Sequence, residues 1–125
     1  MFRAVVLVVA VTILSPATRA RAQEADAWFA RDKALHFGVS AGITVVGYAG
    51  ASLKTDHRPT RRAAAIVLGL GAGVTKEVWD AFGHGDASWR DLTWDVIGTA
   101  TGVLVAAGVD WLYQRLSHPS VAAAP

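Results

Sequence analysis

The sequence predicts an all-α protein: a small antiparallel three-helix bundle of membrane type, preceded by an N-terminal signal peptide or anchor helix. Three observations predict it. The 125-residue chain holds three long apolar stretches, at 34–53, 63–78 and 92–112, separated by two polar loops. No run alternates apolar and polar residues with the period of two that a half-buried strand needs. Glycine is concentrated in the apolar stretches: of 12 glycines, all but Gly83 and Gly85 fall inside them.

The N-terminus reads as a targeting segment. Arg3 is followed by an apolar run from Ala4 to Leu14, which Pro16 ends, and Ala20-Arg21-Ala22 is a small-x-small cleavage signal. This is the layout of a secretory signal peptide over residues 1–22, with an uncleaved anchor as the alternative. Cleavage removes Arg3, Arg19 and Arg21 but none of the 10 acids, so the formal charge of +2 becomes slightly negative. A nucleic-acid partner then has no electrostatic support. The length allows one domain, here residues 23–116, followed by a disordered Ala/Pro tail over 117–125. Hydrophobic residues make up 53% of the chain, charged residues 18%, and cysteine is absent. That excludes a disordered chain, a disulfide scaffold, a cysteine-ligated metal centre and lipidation at an N-terminal cysteine.

The first stretch, 34–53, contains Gly38, Gly42, Gly47 and Gly50; the second, 63–78, contains Gly69, Gly71 and Gly73; the third, 92–112, contains Gly98, Gly102 and Gly108. Each interior glycine destabilises a helix in water by roughly 1 kcal/mol against alanine. In lipid the same residues let helices approach, and Gly38-xxx-Gly42, Gly69-xxx-Gly73 and Gly98-xxx-Gly102 are small-xxx-small pairs. Each stretch is near the ~20 residues that span a bilayer. Lys54, Arg58, Arg61 and Arg62 share the first loop with only Asp56 against them, which places that loop in the cytoplasm by the positive-inside rule. Trp28, Trp89, Trp94, Trp111 and Tyr113 lie near segment ends, as an interfacial aromatic belt does. A soluble or surface-associated periplasmic helical domain is the alternative architecture.

An up-down-up bundle brings the start of the first helix, the end of the second and the start of the third to one face. Asp32, Lys33 and His36, then Lys76, Glu77 and Asp80, then Asp91 and Asp95 therefore converge there. Helical spacing of three and four gives the stripes Asp32–His36–Ser40, Ala65–Gly69–Gly73–Glu77 and Asp91–Asp95–Gly98–Gly102. The small residues mark the packing faces, so the acids and the histidine point inward. His36, Glu77 and Asp95 are the candidate site, with Lys33, Asp80 and Asp91 supporting. A register-fixing polar network is the plainer alternative. Asp32 also suits an N-cap, Ser88-x-x-Asp91 a capping box, and Lys33 a salt bridge to an acid of the second helix. Asp86 and His84 suit a solvated turn. One imidazole among carboxylates suits acid–base work or a hard or borderline divalent metal. Ser40 is a weak nucleophile candidate with no base assigned to it. No phosphate loop or zincin motif is present.

Three strings, Asp32-Lys33-Ala34-Leu35-His36-Phe37, Lys76-Glu77-Val78-Trp79-Asp80 and the run from Ser88 to Gly102, resemble the YfiM-like family of small periplasmic lipoproteins of unassigned function. The likeness runs from about Asp32 to Leu104. More distantly, the pattern is similar to VanZ-like membrane proteins, associated with glycopeptide tolerance. Their Asp-Lys-x-x-His-Phe, Glu-x-x-Gln and Ser-x-x-Asp-x-x-x-Asn-x-x-Gly are met by Asp32, Lys33, His36, Phe37, Glu77, Ser88, Asp91 and Gly98. Asp80 stands for the usual glutamine and Asp95 for the usual asparagine. The chain also lacks the lipobox cysteine of the lipoproteins. The resemblance implies that these residues act as one unit and implies no reaction or cofactor.

The expected function is that of a small cell-envelope helical protein of the inner membrane or periplasm, structural or partner-binding, with its polar cluster facing the periplasm. The alternative is a membrane-embedded acid–base or metal-dependent site acting on a lipid-linked envelope substrate. Ion-coupled transport would need oligomers, because three helices enclose little space. Expected partners are membrane lipid, a second copy or an envelope protein.

Overall fold

A computed structural model describes residues 27–117. Three α-helices, α1 (Arg31–Ser52), α2 (Arg58–Trp79) and α3 (Trp89–Ser117), pack mutually, and there is no strand among the described residues. The fold is the predicted all-α three-helix bundle. The signal segment over 1–22 and the tail beyond residue 117 lie outside the described residues.

Each helix runs past its apolar stretch by a turn or so at its N-terminus, because polar residues there serve helix geometry. In α1 the first turn takes in Arg31, Asp32 and Lys33, and Asp32 complements the positive end of the dipole. The N-cap residue is Ala30, with no side-chain cap, so Asp32 is not the N-cap. In α2 Pro59 falls at the helix start, where its missing N–H is no loss. The polar loop therefore shrinks to a few residues after Ser52. The last turn of α2 widens into a π-helical turn over Asp80–His84. Gly83 breaks it with φ 91°, a left-handed backbone that favours glycine. α3 continues to Ser117, and Thr93 and Thr101 hydrogen-bond back to the carbonyls of Trp89 and Ile97.

Register follows from close approaches. Along α1 and α3, Gly98 sits against the carbonyl of Phe37 and Gly102 against that of Ala41, one turn on in both helices, so these two run parallel. α2 runs opposite to both: Gly69 meets Thr44 and Thr99, and Gly73 meets Asp95 nearer the start of α3. A Cβ at any of these four glycines would overlap its neighbour, so Gly69-xxx-Gly73 and Gly98-xxx-Gly102 are the close-packing pairs. Gly38-xxx-Gly42 is not one of them. Nothing lies within 4 Å of where their Cβ atoms would be, and Gly47, against Ala65 and Leu68, makes the α1–α2 contact instead.

The distribution of polarity is the reverse of a soluble core. Among the described residues the buried apolar residues are Tyr48, Ala65 and Ala106. The buried polar ones are Lys33, His36, Ser40, Thr44, Arg61, Asp91, Asp95 and Thr99. Large apolar side chains face outward along every helix, among them Val67 at 69%, Leu104 at 74% and Val109 at 62% exposure. α1 and α3 are each long and apolar enough to cross a membrane, and only 28% of the apolar window of each is buried inside the bundle. α2 falls short of that composition because Arg58, Arg61, Arg62, Lys76 and Glu77 crowd its two ends.

Candidate functional site

Helix spacing aims Lys33, His36 and Ser40 of α1 at Asp91 and Asp95 of α3. Asp95 is the hub. Its carboxylate accepts a hydrogen bond from Ser40 Oγ at 2.5 Å, the short length of a charge-assisted bond. His36 Nδ1 lies 3.2 and 3.1 Å from its two oxygens. A carboxylate accepts, so Nδ1 carries the hydrogen, and in the neutral ring Nε2 holds a lone pair. Nε2 faces two further carboxylates, with Asp91 Oδ2 at 3.6 Å and Asp32 Oδ2 at 4.0 Å. Lys33 Nζ forms a tight ion pair with Asp91 Oδ1 and lies 3.7 Å from Asp32 Oδ2. From α2, Lys76 stands at the rim of this cluster and is paired with Asp80 and Glu77. α2 also contributes Gly73, whose bare Cα leaves room for the Asp95 carboxylate.

A shallow cleft of about 270 Å³ opens between α1 and α2 beside this cluster. Leu35, Val39 and Ala72 line it, together with Asp32, His36 and Lys76. The group is thus reached laterally, past apolar side chains.

Of the predicted site residues, the structure unites His36 and Asp95, with Asp91 and Lys33 beside them. Glu77 lies at the same end of the bundle but has a different task. Its Oε2 accepts from the backbone N–H of Ser88 at 2.7 Å, and its Oε1 is 3.3 Å from Lys76 Nζ. In a capping box the acid three residues into the helix holds the N-cap N–H. Here a glutamate from the preceding helix holds that of Ser88, and the Asp91 side chain turns inward to Lys33. Lys33 therefore pairs with an acid of α3, not of α2. The reason is register: α1 and α3 run parallel and start at the same level, while the acids of α2 find Lys76. Asp80 pairs with Lys76 at 2.8 Å and packs over Gly85. Asp86 is exposed in the turn, and His84 stacks on Trp79 with ring centroids 4.0 Å apart.

A second polar cluster closes the opposite end. Arg61, 5% exposed, donates through Nη1 to Asp110 at 3.1 and 3.2 Å and through Nη2 to Asp56 at 2.9 Å. Its Nε donates to the carbonyl of Thr55 at 2.7 Å. Tyr48 Oη donates to Asp110 Oδ2 at 3.0 Å, and Gln114 Nε2 to Oδ1 at 3.1 Å. Arg61 was expected among the loop cations, yet it is an interior residue. The sequence signal for this cluster is Asp110, an isolated acid inside the apolar stretch 92–112. Between the two clusters, Thr44 and Thr99 meet over Gly69.

Aromatic side chains collar the His36 end. Trp28 and Trp89 meet edge-on at 4.9 Å, and Arg90 lies over both rings at 5.6 Å. Trp94 Nε1 donates to the carbonyl of Trp28 at 2.8 Å, and Phe29 and Phe37 flank Trp94. At the far end Arg115 lies over Trp111 at 5.0 Å.

Comparison of the chain with protein-family models, with curated proteins and with solved structures finds no match.

Proposed function

We propose that this is a small integral-membrane protein of the bacterial cell envelope. We further propose that the end of its bundle holding Lys33, His36, Asp91 and Asp95 is a binding site at the periplasmic surface, for a ligand or partner presented there. One observation carries the membrane reading. The interior is built from charged, hydroxyl and small side chains, while the leucines, valines and isoleucines face outward. In water that arrangement exposes a large apolar surface with no compensating core. In lipid it is the expected one, with small residues at the interfaces and polar groups joining helices.

Three further features support the reading. The aromatic side chains gather at the two ends, where an amphipathic ring finds the headgroup layer. The cations Lys54, Arg58 and Arg62 are exposed at one end of the bundle, while Asp32, Glu77, Asp80, Asp91 and Asp95 lie at the other. Ionisable groups inside a membrane bundle point to function by default, and His36 and Asp95 also line a cleft that opens sideways. The resemblance to YfiM-like and VanZ-like proteins accords with an envelope setting.

The lateral cleft favours a second reading, proton transfer to or from a lipid-linked substrate. Asp95 orients His36 through Nδ1 and leaves Nε2 for a substrate, as a histidine base requires.

The absence of native cysteine makes the topology directly testable. A single cysteine at His57 and another at Asp86, both exposed positions, are labelled in intact cells with a membrane-impermeant thiol reagent. Labelling at Asp86 alone supports a bundle that spans the membrane with its acidic end in the periplasm. Labelling at both positions refutes it in favour of a periplasmic domain.

A further inference from the structure

We infer that Asp32, His36 and Asp91 form a divalent-cation site, with Asp95 as the positioning carboxylate behind the histidine. The inference deepens the binding role proposed for this end of the bundle and does not depend on whether the helices cross a membrane.

The geometry begins with His36. The side chain is 7% exposed, and its Nδ1 is spent on Asp95. Nε2 has no hydrogen-bond partner among the described residues: the nearest oxygens, on Asp91 and Asp32, stand at 3.6 and 4.0 Å. Those separations are too long for hydrogen bonds. They approach the spacing of ligand atoms around a shared ion whose own bonds are about 2.0–2.2 Å. One ligand atom from each of Asp32, His36 and Asp91 lies within 4.8 Å of the other two. The inward adjustment that remains falls on Asp32, whose side chain is 44% exposed at the start of α1.

The histidine is also oriented as a metal ligand is. A ligating imidazole typically donates its other ring N–H to a carboxylate, which fixes the ring and makes the bound nitrogen more basic. Asp95 does this, and Ser40 in turn holds Asp95. Helical spacing supplies two of the ligands, since Asp32 and His36 are four apart on one face of α1, and α3 supplies the third.

Charge points the same way. Asp32, Asp91 and Asp95 are three carboxylates around one ammonium, Lys33, and Lys33 occupies the other oxygen of Asp91, leaving Oδ2 turned to Nε2. Lys76, at the rim of the cleft, is already paired with Asp80 and Glu77, so these three carboxylates outnumber the cations beside them in a largely buried setting. A divalent cation closes that shortfall, and Lys33 remains where it is. One nitrogen and two carboxylate oxygens, without sulfur, suit a borderline or hard ion of the zinc or manganese type. Three protein ligands leave positions for water or for a group entering from the cleft.

The test uses the full chain in mild detergent, stripped with chelator and titrated with Zn²⁺ by calorimetry, with metal content per chain measured after gel filtration. The expected result is one equivalent of zinc per chain and a higher Tm with zinc. Asp32→Asn should weaken binding at least tenfold and abolish the Tm increase while leaving helicity unchanged, because Asp32 is half-exposed and caps nothing. Asp110→Asn, at the other end, should bind as the parent does. A folded chain that takes up no zinc, or takes it up equally with and without Asp32, overturns the inference. The labelling experiment is independent of this titration, so failure of the membrane reading and failure of the metal site are told apart.

Discussion

The carboxylate of Asp95 lies against the Cα of Gly73, close enough that a Cβ at residue 73 would overlap it. A residue with no side chain thus fixes where the hub of the polar cluster can sit, and α2 shapes the site by leaving space.

Gly73→Ala should therefore destabilise the bundle by roughly 1–3 kcal/mol, the usual effect of overpacking. Gly42→Ala, where nothing lies within 4 Å, should be neutral or stabilising by up to about 1 kcal/mol. Denaturant titration in detergent, followed by circular dichroism, makes the comparison. Equal effects at the two positions would mean that α2 does not press on Asp95.

Lys33 and Asp91 are 2% and 4% exposed and ion-paired. Lys33→Met should lower stability by about 3–5 kcal/mol, since it leaves a buried carboxylate without its partner. Adding Asp91→Leu should restore most of the loss while removing zinc binding. Thermal unfolding of both variants checks this. A silent single variant would place the pair in contact with water.

At the opposite end, Asp110 accepts from Arg61, Tyr48 and Gln114. Asp110→Ala should cost about 1.5–3 kcal/mol, the scale of hydrogen bonds to charged groups. The zinc titration should be unaffected. A change in zinc affinity would show that the two ends are coupled through the helices.

Glu77 ties the start of α3 to the end of α2 through the Ser88 N–H. Glu77→Ala should remove about 1.5–3 kcal/mol of local stability. Amide exchange should show the loosening confined to the turn around 80–90, with the α1–α3 interface still protected. Loss of the His36–Asp95 contact in this variant would return Glu77 to the central cluster.

The helices and their antiparallel order were legible because length, glycine content and the absence of period-two alternation all act locally. Convergence of His36 with Asp95 was legible too, since equal distances from the helix starts put both at one level. The partners of Lys33 and Glu77 were not. Lys33 could meet an acid of either neighbouring helix, and no spacing within one helix decides which; Glu77 reaches a backbone N–H, that of Ser88, which no side-chain pattern marks. Gly38 and Gly42 show the same limit: a small-xxx-small pair marks a face that can pack closely, and which pair does so is decided by the third helix. Arg61 misled because a cation beside a loop looks solvated. Its guanidinium turns inward because Asp110, nearly fifty residues later, waits on the far helix. That acid sat in plain view inside an apolar stretch.

The parallel pairing of α1 with α3 also bears on biogenesis. Lys33, His36, Ser40 and Tyr48 find side-chain partners at Asp91, Asp95 and Asp110, all on α3, which is synthesised after both other helices. Until α3 is made, the nascent α1–α2 hairpin holds these polar groups with their acceptors still unsynthesised. If the bundle is membrane-embedded as proposed, such a half-made chain must be sheltered by the insertion machinery or linger at the membrane surface. A truncation before residue 89 would accordingly present quality-control proteases with an orphan hairpin, not a smaller version of the protein.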